Sequence, residues 1–320
     1  MIHCIELMNY SINKTDTYHK KELDSLGWEL TICNALYKEN TVLRRFLGQD
    51  ESFGRLLFRH LRGFIPVDKL IQVLEIGGGY GYLMRDFLEM NLSIKPTMLD
   101  ISPFLLERQK ETLKDYSVSF AQMDFLDADD YFLRGFELAV MNENLGDFPT
   151  VVGLGHDVLG LSSLDTVDPV LKKIIQFFER YGLPRPQCNP FNFNMGAIEA
   201  VEKLCTSGIP YIYLGEHSCE TSAPEKLKHF IKISPSGNPE RIPLRGHDEY
   251  TIKFSYLEMI AKFYGYNTIR GSFADFIPFD INDRVYYALS SQGRYSDEDE
   301  IICQFVEDLY KYEYLLLIRP

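Results

Sequence analysis

Two hydrophobic periods run through this chain, and the place where one gives way to the other predicts its organisation. Up to about residue 65 the spacing is helical. Leu26-Gly-Trp-Glu-Leu-Thr-Ile-Cys-Asn-Ala-Leu-Tyr37 and Phe53-Gly-Arg-Leu-Leu-Phe-Arg-His-Leu61 set apolar side chains three and four apart, the spacing of one helix face. From Leu70 short apolar runs alternate with helical stretches. Ile71-Gln-Val-Leu-Glu-Ile76 precedes a helix over 82–90, and Thr97-Met-Leu-Asp100 precedes one from Pro103 to about Lys114, with Ser102 as its cap. Val118 to Met123 and Leu138-Ala-Val-Met141 continue the alternation. Strands separated by helices predict βαβ units and a parallel sheet covered by helices.

After Pro149 the regularity lapses. The pattern there predicts a helix from Pro169 to Tyr181, a Pro/Asn-rich segment over 184–194 and a helix from Gly196 to Cys205. Ile209-Pro-Tyr-Ile-Tyr-Leu214 then reads as a fifth strand. An excursion of that length between strands is expected to be a lid or a substrate-binding region. Beyond it come a polar loop (Ser218 to Asp248), an amphipathic helix (Phe254 to Tyr264) and two candidate late strands, Val285 to Ser290 and Tyr314 to Ile318. The acidic run Asp297 to Glu300 is placed to open the last helix, where negative charge complements the dipole. The expected division is an N-terminal helical segment (1–65), an α/β domain (66–149 and 207–320) and an insertion (150–206).

Composition narrows the classes. Of 320 residues, 45% are hydrophobic and 25% charged, as in soluble globular proteins. The net charge of −13 argues against broad binding to a phosphate backbone. The N-terminus shows no basic segment followed by an apolar one, and no apolar run approaches the roughly 20 residues that cross a bilayer. Six cysteines are scattered without a CxxC spacing, so the expectation is a cytoplasmic chain with free thiols and no metal site.

The most informative segment is Val73-Leu-Glu-Ile-Gly-Gly-Gly-Tyr-Gly-Tyr-Leu83. A buried strand runs into glycines at 77, 79 and 81 and then into a helix. Glycine lets backbone approach a ligand with no Cβ in the way, while the helix N-terminus offers free N–H groups. The nicotinamide fingerprint would want its third glycine at 82, and position 82 is Tyr.

Acid-x-Gly-x-Gly-x-Gly, with Glu75 as the acid, resembles motif I of the class I S-adenosylmethionine-dependent methyltransferases. That resemblance implies a Rossmann-like sheet whose turn, with Glu75, Gly77, Gly79 and Gly81, holds the methionine part of S-adenosylmethionine. It implies further that Asp100, closing the second strand, binds the ribose hydroxyls, and that Asp124 of Gln122-Met-Asp124 lies beside the adenine. Met141-Asn-Glu-Asn-Leu-Gly-Asp-Phe-Pro149 looks like the Asn-Glu-x-x-Asp-Ala-x-Pro segment of the MidA-like methyltransferases, a family that includes a mitochondrial arginine methyltransferase assisting complex I assembly. Phe53-Gly54, Asn194-Met-Gly-Ala197, Phe254-Ser-Tyr-Leu257 and Gly271-Ser-Phe273 agree, so the similarity covers roughly residues 50–280. Two positions depart: the family's Asp after Asn-Glu-x-x is Gly146, with Asp147 one place on, and its Asp-Tyr-Gly after the fifth strand is Leu214-Gly-Glu-His217.

Methyl transfer from a sulfonium is an in-line displacement that chiefly requires alignment. For a guanidinium acceptor, carboxylates at the end of the fourth strand would orient the planar group. Glu143 is the first candidate and Asp147 the second, with Asn142 orienting acceptor or donor; the alternative for Glu143 is a helix-capping or loop-bracing carboxylate. His156, His217 and His247 are candidate general bases, His217 being nearest the sheet. The leading reading is methylation of a protein arginine or another nitrogen. The alternatives are a small-molecule acceptor enclosed by Phe177, Phe178, Phe191 and Phe193, and a non-catalytic assembly module that keeps the fold.

Overall fold

The computed structural model describes residues 10–21, 31–39, 41–48, 50–160 and 168–320. The first part of the Leu26 to Tyr37 run, with Trp28, lies outside the described residues, as does the N-terminal stretch up to residue 9. The chain enters as a strand, β1 (Ser11–Asn13), followed by helices α1 (Asp16–His19), α2 (Ile32–Tyr37), α3 (Val42–Leu47) and α4 (Phe53–Arg62). The expected all-helical segment thus contains a strand, which pairs with Thr150 to Val152. Three residues are too few to show a period. Thr31 and Thr41 cap α2 and α3 by accepting from Asn34 N and Arg44 N.

Next come β2 (Gln72–Ile76), α5 (Tyr82–Met90), β3 (Lys95–Asp100), α6 (Pro103–Thr112), β4 (Ser119–Gln122), α7 (Asp130–Leu133) and β5 (Leu138–Asn142). Ser102 caps α6 as its sequence predicts, accepting from Leu105 N at 3.3 Å. The excursion that follows holds β6 (Thr150–Leu154), α8 (Pro169–Tyr181), β7 (Phe191–Phe193) and α9 (Met195–Ser207), and leads into β8 (Tyr211–His217). Strands β1, β6 and β7 make a small antiparallel sheet. The remainder is a hairpin of β9 (Arg241–Pro243) and β10 (Asp248–Tyr250), then α10 (Phe254–Phe263), β11 (Asn267–Ser272), α11 (Asp283–Ser291), α12 (Asp297–Lys311) and β12 (Tyr312–Ile318).

One expected late strand is a helix. Val285 to Ser290 lies in α11, where Val285, Ala288 and Leu289 are buried while Tyr286 and Tyr287 face solvent. Its aromatic, β-branched start suits a strand, but burial at i, i+3 and i+4 and the Asn282 cap on Val285 N decide for helix. Strand β11 went unforeseen because its sequence, Asn-Thr-Ile-Arg-Gly-Ser, is polar and only half-buried.

The main sheet has seven strands in the order β11-β12-β8-β5-β2-β3-β4. All run parallel except β12, which lies antiparallel between β11 and β8. Alternate residues of each strand feed two cores. Val73 joins Phe53, Phe58, Phe87 and Phe305 on one face, whereas Leu74 and Ile76 join Ile174, Val201 and Leu257 on the other. Among the described residues no helix is long and apolar enough to cross a membrane.

Candidate functional site

The carboxyl ends of β2, β3, β4 and β5 share one edge of the sheet, where open α/β sheets bind ligands. A cavity of about 370 Å³ opens there. Its floor is the turn after β2, where Gly77, Gly79 and Gly81 have φ of 64°, 52° and 80°, values that L side chains disfavour. A Cβ on Gly79 would stand in open space, as a backbone facing a ligand requires, and Gly77 N donates to Leu99 O at 2.8 Å. Gly81 does not line the cavity. It precedes α5, and a Cβ there would meet Gln109 Cα at 3.4 Å, so it serves the packing of α5 on α6.

Glu75 points into this cavity at 2% exposure, and its Oε2 has no hydrogen-bond partner among the described residues. Burial, helped by the charge of Asp100, pushes its carboxyl up to about 8. A buried acceptor without a donor is costly unless a ligand supplies one. Asp100 is fixed more fully. One oxygen accepts from Ser102 N and the other from Gln109 Nε2, each at 2.9 Å, and Gln109 also donates to Gly79 O. Each oxygen thereby keeps a lone pair for a further donor. Burial outweighs these bonds and lifts Asp100 to about 6. Asp124 lines the cavity from the end of β4, its Oδ1 accepting from Leu126 N, beside Leu105, Met123, Phe125 and Phe148.

Across the cavity lie Asn142, Glu143 and Asp147. Glu143 sits at φ 56°, a left-handed conformation that costs a non-glycine residue about 1 kcal/mol or more. Its carboxylate faces the start of α2: Oε2 accepts from Ile32 N at 3.0 Å, and Oε1 from Cys33 N at 3.1 Å and Asn142 Nδ2 at 3.0 Å. Burial nonetheless pushes its carboxyl up to about 8. The helical arm thus reaches the strand-end acid. At one departure from the MidA-like pattern, a Cβ on Gly146 would lie 3.1 Å from Tyr250 O, where the β9–β10 hairpin packs on this turn. Gly146 N donates to Glu216, the buried acid of Leu214-Gly-Glu-His217.

Asp147 is drawn towards two imidazoles. Its Oδ1 is 2.8 Å from His19 Nε2 and 3.5 Å from His247 Nε2. Burial alone would raise its carboxyl, but the two histidines outweigh that and hold it below the usual range. His19, which also lines the cavity, belongs to no spacing motif and was not singled out in the sequence. Of the other histidines, His156 hydrogen-bonds to Cys188 O, and His217 packs on Tyr312 with ring centroids 3.7 Å apart. Neither lines the cavity. Phe177, Phe191 and Phe193 are buried in the core beneath the sheet, with Phe178 packed against them, so this quartet does not enclose a ligand in the cavity.

Six parallel strands, an antiparallel seventh inserted beside the fifth and a glycine turn after the first define the Rossmann-like sheet of class I methyltransferases. No protein-family model matches the chain, and no curated protein matches it in sequence. Among solved structures it is similar to an uncharacterized superfamily protein from Burkholderia thailandensis, at 13% identity over 83% of this chain and 79% of that one, with a TM-score of 0.51. It is also similar to a member of that superfamily from the same organism bound to S-adenosyl-homocysteine, at 14% identity over 89% and 82%, with a TM-score of 0.49. At these identities the likeness is one of fold.

Proposed function

We propose that the chain binds S-adenosylmethionine in this cavity and transfers its methyl group to a nitrogen acceptor, as the MidA-like pattern around Asn142 and Glu143 suggests. The observation that carries the reading is the pair of acids over the glycine turn. Glu75 Oε2, buried and in need of a donor, suits the cofactor's ammonium, and Asp100 has one lone pair per oxygen left for two ribose hydroxyls. Glu75, Asp100, Asp124, Glu143 and Asp147 also give the cavity an acidic lining that favours a sulfonium cation. Ile101, Leu105, Met123, Phe125 and Phe148 supply apolar surface for the adenine.

Transfer needs only that sulfur, methyl and nucleophile lie in line, so the protein's contribution is positional. When bound, the cofactor supplies an already activated methyl group. The glycine turn would hold its methionine end and Asp100 its ribose. Asn142, Glu143 and Asp147 form the acceptor side, where a cationic guanidinium would favour the ionised form of Glu143, raised to about 8 without ligand, and Glu143 would take the proton the acceptor sheds. A protein arginine is the acceptor we favour. The free thiols among the described cysteines fit a cytoplasmic setting.

Calorimetry with S-adenosylhomocysteine and with NAD, followed by mass spectrometry of acceptors for a methyl-group mass gain, tests the reading. Binding of the sulfur compound and indifference to NAD are expected. Stabilisation by NAD with S-adenosylhomocysteine inert would overturn it.

A further inference from the structure

His19, Asp147 and His247 come from three separate elements: α1, the turn after β5 and the loop between β9 and β10. One ligand atom from each lies within 4.8 Å of the others. Glu249 Oε1 adds an oxygen 3.4 Å from His247 Nε2. A tetrahedral cation with bonds of about 2.0–2.1 Å holds its ligand atoms roughly 3.4 Å apart. The separations of 3.5 Å (His247 to Asp147) and 3.4 Å (His247 to Glu249) already match that edge. The His19–Asp147 contact, at 2.8 Å, must open to admit an ion.

We propose that His19, Asp147 and His247 bind a divalent transition-metal cation, with Glu249 lying beside His247. Two imidazoles and one or two carboxylates are the ligands of zinc and its neighbours, whereas magnesium and calcium take oxygen-only shells. The surroundings hold the ligands in place. Tyr18 stacks on the His247 ring with centroids 4.2 Å apart, next to His19 in sequence. Gly246, at φ 102°, leaves room for that stack, since a Cβ there would meet the Tyr18 ring at 2.7 Å. Arm and hairpin are thus shaped to each other around the cluster.

The position gives the cation a use. Lys14, Thr15, Asp16 and His19 of the arm line the same cavity as Glu75 and Asp100. A cation joining His19 to Asp147 and to the hairpin would clasp the arm over the cavity and retain whatever occupies it. This clasp rests on the cavity being the cofactor site; the cation site itself does not.

The test uses the full chain, stripped of metal with a chelator and then titrated with zinc chloride against a chromogenic competitor. Cobalt(II) serves as the absorbing probe. One equivalent should bind with a Kd of about 1 µM or tighter. The melting temperature should rise with zinc and stay unchanged with magnesium. His19→Gln and His247→Gln, each checked for native circular dichroism, should weaken zinc binding at least about tenfold and abolish the cobalt visible bands. A zinc Kd weaker than about 100 µM, or undiminished binding to the folded double variant, would overturn the site. Affinity for S-adenosylhomocysteine should rise about threefold or more in zinc. Equal affinity with and without zinc would overturn the clasp. Zinc binding by a chain that takes no S-adenosylhomocysteine would leave the cation site standing while removing both the clasp and the cofactor reading.

Discussion

The two walls of the cavity are built in opposite ways. The wall of Glu75, Gly77, Gly79 and Asp100 comes from one continuous βαβα stretch, and its ties (Ser102 N and Gln109 Nε2 to Asp100, Gln109 Nε2 to Gly79 O, Gly77 N to Leu99 O) stay within that stretch. The opposite wall is assembled from distant chain. Glu143 is held by amides of residues 32 and 33, Asp147 by His19 and His247, and Gly146 by Glu216. A locally built wall is specified wherever the strand-turn-helix forms. A wall built from an N-terminal arm, a hairpin and a strand end exists only when all three dock, and it is where specificity can vary while the cofactor pocket stays constant.

The largest effect should come from the second wall. Glu143→Gln keeps the shape of the side chain but turns one hydrogen-bond acceptor into a donor facing the amides of Ile32 and Cys33. Turnover on an arginine-containing acceptor should fall by about 100-fold or more, while affinity for S-adenosylhomocysteine stays within about threefold. Methylated product, calorimetry and melting temperature on one variant decide the matter. Equal losses of turnover and cofactor affinity, with a lowered melting temperature, would make Glu143 a brace for α2 and nothing more. Asp100→Ala acts on the first wall and should weaken S-adenosylhomocysteine by roughly 10- to 100-fold, the loss of a charge-assisted pair. Unchanged affinity would mean that a different acid holds the ribose.

A smaller effect follows from the raised carboxyl of Glu75. At about 8 in the unliganded fold, it is mostly protonated at pH 6.5, and the ligand's ammonium favours its ionised form. Affinity for S-adenosylhomocysteine should therefore rise as pH goes from 6.5 to 8.5, by about tenfold, and level off above. Glu75→Gln should flatten the profile. The unliganded protein should move the other way. Glu75 and Glu143 are both raised above their unfolded value near 4.5, so the native state binds more protons than the unfolded chain between that value and about 8. Their contribution is fully present below pH 4.5 and is lost as pH rises through 8. Melting temperatures without and with ligand, across that range, should diverge.

The contrast between the walls also explains what the sequence reveals. The alternation from Leu70 to Met141 marks the strands, and the glycines with Glu75 and Asp100 mark one wall, because each signal lies within a few residues. Ser102 and Asp297 to Glu300 announce their helices for the same reason. What fails is what depends on partners far along the chain. Ser11–Asn13 is a strand only because β6 is there to pair with it, and Val285 to Ser290 is a helix because its buried face meets the core. Glu143 is visible from a motif, yet its bonds to α2 are not. His19 carries no signal at all until the arm folds back on Asp147. The aromatic quartet of Phe177, Phe178, Phe191 and Phe193 is equally readable in sequence as pocket lining or as core, and only the packed structure decides for core.

The smallest expected effect sharpens the comparison at one residue. Gly146 stands where the family pattern has an acid, and two explanations compete. If the hairpin dictates glycine, Gly146→Asp places a Cβ about 3.1 Å from Tyr250 O and 3.4 Å from Glu249 Cβ, closer than the hairpin can accept without shifting. The added carboxylate would also sit beside Glu216, which accepts from Gly146 N. Strain of this kind costs typically 1–3 kcal/mol, or a few degrees of melting temperature for a chain of this length. Cofactor affinity should hold, because Asp100 in the opposite wall is fixed by Ser102 N and Gln109 Nε2. Gly146→Ala separates the causes, since it keeps the crowding and omits the charge. It should lower the melting temperature by nearly as much as Gly146→Asp if packing is the reason, and far less if repulsion by Glu216 is. A gain in turnover with Gly146→Asp at unchanged stability would reverse the explanation: the hairpin would then tolerate the acid, and glycine at this position would mark a change of acceptor.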